Sequence, residues 1–130
     1  MSKRCINAPG APPAIGPYSH AVAAGDFLYL SGQIALRPDG SGLLRGTIEE
    51  ETHQVFANIQ AVLKAAGATL ADVVKVCVFL ADMENFAVFN KVYQGYFPKD
   101  PPVRTTFQPG RLPADAKVEI EVTAYLGGRK

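Results

Sequence analysis

Among the charged side chains in stretches whose residue pattern is that of β-strand, Arg104, Glu119 and Glu121 are those that could do chemistry. Arg104 follows Pro101 and Pro102 in a run that otherwise reads Val103, Thr105, Thr106, Phe107, so its guanidinium leaves from an element of fixed direction. A planar fork on a rigid strand can hold both oxygens of a carboxylate, and a surface or interchain salt bridge is the competing role. Glu119 and Glu121 are two residues apart and share one strand face, where charges are ordinarily solvated or paired. Tyr18, Ser31 and Asn90 are the remaining polar candidates.

Other chemistries lack their residues. His20, His53, Cys5 and Cys77 are scattered, with no pair at zinc-ligand spacing, so a metal site is not expected. No serine sits in a nucleophile elbow, and neither cysteine has a histidine nearby in sequence. Gly40, Ser41 and Gly42 lack the following Lys and Ser or Thr of a phosphate cradle. His53 falls on the polar side of a helical pattern, four residues after Glu49, and reads as a solvated helix partner. His20, at a loop-to-strand junction, stays open as a candidate.

The elements that must position these groups follow from hydrophobic spacing. Ala8 to Pro17 hold four prolines and form a stiff loop. Val22–Ala24 and Phe27–Ser31, split by Gly25 and Asp26, predict a hairpin with a type II′ turn. Arg37 to Gly42 is a second loop. Thr47 and Glu50 make a capping box ahead of Val55, Phe56, Ile59, Val62 and Leu63 at helical spacing, which Gly67 ends. Val73–Leu80 is an almost continuous apolar run and predicts a strand buried on both faces, with Cys77 as core. Asp82 caps a second helix, with Phe86, Phe89, Tyr93, Tyr96 and Phe97 on one side, that Pro98 stops. Val103–Gln108 is a strand, Leu112–Ala116 a turn, and Lys117–Leu126 a strand that alternates Val118, Ile120, Val122, Ala124 against Glu119, Glu121, Thr123, Tyr125. The order predicts an α+β fold, a mixed sheet of about six strands with both helices on one face. The uncovered face predicts self-association.

The chain's 130 residues suit one domain over 1–130. A net charge of +1, from 13 basic and 12 acidic residues, offers no basic footprint for nucleic acid. Two distant cysteines, both read as reduced, fit a cytoplasmic protein. No apolar stretch approaches the roughly 20 residues needed to cross a bilayer. The first ten residues carry Lys3 and Arg4 without an apolar run, unlike a secretory signal.

Several separated motifs, in order, carry a resemblance. They are Ala14-Ile15-Gly16-Pro17-Tyr18, Leu30-Ser31-Gly32-Gln33, Ala65-Ala66-Gly67, Phe86 to Tyr93 around Asn90, Pro102-Val103-Arg104-Thr105-Thr106-Phe107, Leu112-Pro113 and Val118-Glu119-Ile120-Glu121. Across nearly its whole length the chain resembles the RidA (YjgF) family of reactive intermediate deaminases. The resemblance implies a chorismate-mutase-like fold, a homotrimer with clefts between subunits, and hydrolysis of 2-imino or enamine acids to 2-keto acids and ammonium without metal or cofactor. It implies Arg104 as carboxylate clamp, Glu119 as the group that activates water, and Tyr18, Ser31, Gly32, Asn90 and Thr106 as substrate-binding lining. Departures are His20 where the family carries Gln, Thr105 where Ser or Ala is commoner, and Thr106 in place of a frequent Cys.

The chemistry suits these residues. An iminium carbon is already electrophilic, so fixing its carboxylate and aiming one water is most of the task. A positioned carboxylate that takes and returns the proton contributes a factor of about 10² to 10⁴. A non-catalytic module binding small carboxylates or proteins would also use Arg104, and turnover is what Glu119 adds. A translation-inhibiting ribonuclease, also described in this family, fits poorly with the near-neutral charge.

Overall fold

The computed structural model describes residues 2–127; Met1 and residues 128–130 lie outside the described part. Its elements are β1 (Arg4–Ile6), β2 (Ala21–Ala24), β3 (Phe27–Leu30), α1 (Ile48–Ala65), β4 (Val73–Leu80), α2 (Phe86–Tyr96), β5 (Val103–Phe107) and β6 (Val118–Tyr125). The six strands form one mixed sheet in the order β1-β2-β3-β6-β4-β5. All neighbours are antiparallel except β4 and β5, which the α2 crossover makes parallel. β1 has no strong signal in the sequence; the backbone groups of β2 at the sheet edge recruit it.

Local signals place the main turns. Gly25 takes a φ of +60°, while Asp26 stays out of the left-handed region, as a type II′ hairpin requires. Thr47 caps α1: its hydroxyl accepts from Glu50 N–H, and the Glu50 carboxylate accepts from Thr47 N–H. Asp82 caps a 3₁₀ turn, Met83–Asn85, that leads into α2.

One sheet face and the two helices enclose the core. Leu28, Val76, Val78, Leu80, Val118, Ile120 and Val122 pack with Val55, Phe56 and Ile59 of α1 and with Phe89 and Tyr93 of α2. The aromatic side of α2 is therefore core, as its spacing predicts. The opposite face is open, and Phe27, Tyr29, Val103, Phe107 and Tyr125 on it remain exposed. This corrects one expectation: within the chain β4 is buried on one face, and Cys77, paired with Glu121 and Thr105, is half-buried on the open side instead of in the core. An uninterrupted apolar run cannot reveal that its second face lacks a covering layer.

Candidate functional site

Strand register decides where the charged groups point. Glu119 pairs with Phe79 and Glu121 with Cys77, which puts both carboxylates on the open face. Arg104 pairs with Val76 and Thr106 with Val78, so these two side chains leave from the helix-covered face, on the edge strand. Paired residues on adjacent strands share a face, so Arg104 and Glu119 of one chain lie on opposite sides of the sheet.

The predicted site residues accordingly fall into two groups. Tyr18, Ser31, Gly32 and Glu119 line one concavity of about 410 Å³, together with Ile15, Pro17, Ile34 and Pro113. Asn90 and Arg104 line another of about 360 Å³, with Tyr93, Gln94 and Phe97.

In the first group, Gly32 permits the closest approach. A Cβ built there would overlap the Glu119 carboxylate and stand 3.1 Å from its Cδ. Glycine is needed for that contact, because its φ lies outside the left-handed region. Tyr18 closes a small loop: its hydroxyl accepts from Ile15 N–H at 3.2 Å, which leaves its own proton to donate. Ser31 Oγ donates to the Ser19 carbonyl. Partial burial holds the Glu119 carboxyl above the usual carboxylate range, and the nearby charge of Glu121 adds to the effect. Pro113 is presented by a strained turn, with Ala114 and Asp115 at φ +56° and +53°. Arg111 holds that turn through Asp115, and Arg45 through the Ala114 carbonyl.

In the second group, Arg104 has no acidic partner among the described residues. Its guanidinium carbon lies 4.7, 5.7 and 5.9 Å from the ring centres of Tyr93, Phe86 and Phe89. Asn90 Oδ1, Tyr93 OH and Thr106 Oγ1 are buried without hydrogen-bond partners. Burial raises the Tyr93 phenol pKa, and the Arg104 charge opposes that rise. The rings α2 places beneath the guanidinium, Tyr93 above all, share the apolar side of the helix that the spacing predicts, and only the β4–β5 register shows that they also carry Arg104.

The histidines take other positions. Buried His20 accepts from Ala8 N–H at Nδ1 and meets the Pro12 carbonyl at Nε2, pairing that calls for the Nε2-protonated tautomer and ties down the proline-rich loop. His53, on the outer side of α1, pairs with Tyr96 OH and not with Glu49. No group of three or more His, Cys, Asp or Glu among the described residues is arranged to hold a metal ion. No helix among them is long and apolar enough to cross a membrane.

A mixed sheet backed by two helices, with a bare cationic edge and a half-buried carboxylate on the open face, defines the class. The chain belongs to the family described as endoribonuclease L-PSP, the YjgF/RidA family, whose model matches residues 8–126. It is 46% identical over 123 residues to a RutC family protein of Pyrococcus horikoshii, covering 95% of this chain and 98% of that one. It is 41% identical over 127 residues to the human 2-iminobutanoate/2-iminopropanoate deaminase, covering 98% and 93%. Among solved structures, TdcF of E. coli with bound serine superposes with a TM-score of 0.88 at 35% identity, covering 94% and 98%.

Proposed function

We propose that the chain hydrolyses reactive 2-imino acids and their enamine tautomers, such as 2-iminobutanoate and 2-iminopropanoate, to 2-keto acids and ammonium. The observation that carries this reading is Arg104: a guanidinium with no acidic partner among the described residues, stacked on three rings at the mouth of a cleft. An unpaired, partly desolvated guanidinium is a receptor for a carboxylate. Glu119 supplies the second requirement, a carboxylate with raised proton affinity beside a cavity.

The two groups face opposite sides of one chain, so one substrate meets both only if two copies combine. The exposed Tyr29, Phe107 and Tyr125 of the open face favour such an assembly, which in the proposal is a homotrimer with a site in each cleft between subunits. Arg104 of one subunit then holds the substrate carboxylate, Asn90 lines its cleft, and Thr106 stands two residues further on the same strand face. From the neighbour, Glu119 takes a proton from water as the oxygen attacks C2 of the iminium. Glu119 returns that proton to the carbinolamine nitrogen, the C–N bond breaks as the hydroxyl oxygen forms the carbonyl and gives its own proton, through the carboxylate, to the departing ammonia, and the keto acid and ammonium leave. Tyr18 and Ser31 border that water, and Gly32 keeps its side of the pocket free of a side chain. The reaction draws only on these side chains and water.

The second reading is a carboxylate-binding module, favoured by TdcF, whose structure holds serine. A ribonuclease is disfavoured because neither concavity is lined by a histidine. The test couples a threonine dehydratase to semicarbazide trapping of the imine. The protein is expected to lower trapping while 2-ketobutyrate forms, and Arg104→Ala to abolish that effect. Unchanged trapping by a folded oligomer would move the assignment to a binding module.

A further inference from the structure

Of the three buried polar residues of α1, Thr52 donates back to the Ile48 carbonyl of its own helix, and the other two bond outside it. Glu51 and Asn58 are each 1% exposed and lie two turns apart on one face of the helix. Polar side chains this deeply buried are retained where their hydrogen bonds fix something. Both bind main chain, and in each case that main chain leads into a wall of the Glu119 pocket.

Asn58 Nδ2 donates to the carbonyls of Ile34 and Leu36 at 3.2 and 2.9 Å. Its Oδ1 accepts from Gln54 Nε2 at 2.9 Å, which fixes which way the amide faces. Ile34 lines the pocket two residues beyond Gly32. Glu51 Oε1 accepts from Lys117 N–H at 3.0 Å, and Oε2 lies 3.4 Å from the Lys117 ammonium, two residues before Glu119. Between these anchors Gln33 and Ile120 exchange both backbone hydrogen bonds, at 2.9 and 3.0 Å, which sets Gly32 against the Glu119 carboxylate. The loop and β6 are thus each tied to the same rigid helix as well as to one another.

We infer that Asn58 and Glu51 are positioning residues for Glu119, holding the Gly32–Ile34 loop and the start of β6 at the separation that leaves room for one attacking water. The inference rests on the reading of Glu119 as the water-activating group. It adds that the accuracy of this group comes from the far side of the sheet, through backbone, and not from residues in the pocket. Arg104, on the edge strand, has no part in these bonds.

The test uses the assembled full chain and two readouts, steady-state imine hydrolysis and a carbon-13 NMR titration of the Glu119 carboxyl. Glu121 on the same strand and Tyr18 across the pocket are the titratable groups that face it. In Asn58→Ala, kcat is expected to fall by about tenfold or more with KM within about twofold, because a misplaced base loses rate while the carboxylate clamp is untouched. The Glu119 midpoint is expected to move down toward the ordinary carboxylate value as water enters the loosened pocket. Should Asn58→Ala fail to fold, Gln54→Ala releases the amide while sparing the core, and the same directions are expected. Glu51→Ala should behave likewise, with Glu51→Gln, which keeps an acceptor for Lys117 N–H, recovering most of the loss. Folded variants with an unchanged Glu119 midpoint and unchanged kcat would overturn the inference, as would equal losses in kcat and affinity. If the wild-type protein hydrolyses no imine, the deaminase reading fails by itself, and the titration still decides whether Asn58 and Glu51 position Glu119.

Discussion

Replacing Gly32 by alanine isolates the spacing of the water site. The added Cβ would overlap a Glu119 carboxylate oxygen and lie 3.1 and 3.3 Å from Cδ and Cγ. Restoring ordinary carbon–oxygen contact displaces the carboxylate by about 1 Å, and a shift of that size at a reacting group lowers rate by about 10²-fold. The backbone does not object, since Gly32 is outside the left-handed region. Alanine restricts the unfolded chain, worth about 0.4–1 kcal/mol, and moving the half-buried carboxylate aside offsets that gain, so stability should change little. Expected, then, is a little-changed Tm with kcat for imine hydrolysis down about 100-fold, measured by initial rates of keto acid formation against semicarbazide trapping. In Glu119→Gln the alanine should have almost no additional effect, because the group it displaces no longer acts as a base. A Gly32→Ala protein with kcat within about threefold of wild type would refute the claim that Glu119 works at this contact.

Four further outcomes follow from the geometry. Arg104→Lys keeps the charge but loses the planar fork, so KM should rise by about 10- to 100-fold, whereas near-normal KM would point to simple charge steering. Because burial favours the protonated Glu119, kcat should fall as pH drops through its raised pKa; for stability, this carboxyl favours the fold at acid pH and that contribution is lost as pH rises through the folded pKa. Glu119→Gln should therefore have a Tm at neutral pH equal to or above wild type while turnover falls by about 10²- to 10⁴-fold, and a lower Tm would contradict the sign. Tyr29→Glu puts charge on the open face and should shift sedimentation toward monomer with loss of activity, an unaltered oligomer counting against that face as the contact. His20→Ala leaves the buried Ala8 N–H without its acceptor and should destabilise the chain by about 2–4 kcal/mol in denaturant titration, with a small loss indicating that the proline-rich loop is held elsewhere.

Much of this molecule is legible in the order of its residues. Helix α1 announces itself by its capping box and 3.6-residue spacing, the hairpin by Gly25, and β6 by alternation, because each is set by interactions within a few residues. The same alternation puts Glu119 and Glu121 together on one face, and the run after the two prolines gives Arg104 a strand, whose place at the sheet edge only the strand order shows. Long-range pairing decided the rest. β1 exists because the edge of β2 offers it hydrogen bonds, and Cys77 is only half-buried because no layer of this chain covers its face of β4. Separation of Arg104 from Glu119 follows from the register of β5 and β6 against β4, which no local pattern carries, since a one-residue slip would turn either side chain to the other face. Likewise Asn58 and Glu51 read as two polar residues on a helix, until tertiary packing buries them against backbone more than twenty residues away and gives the Glu119 pocket its walls.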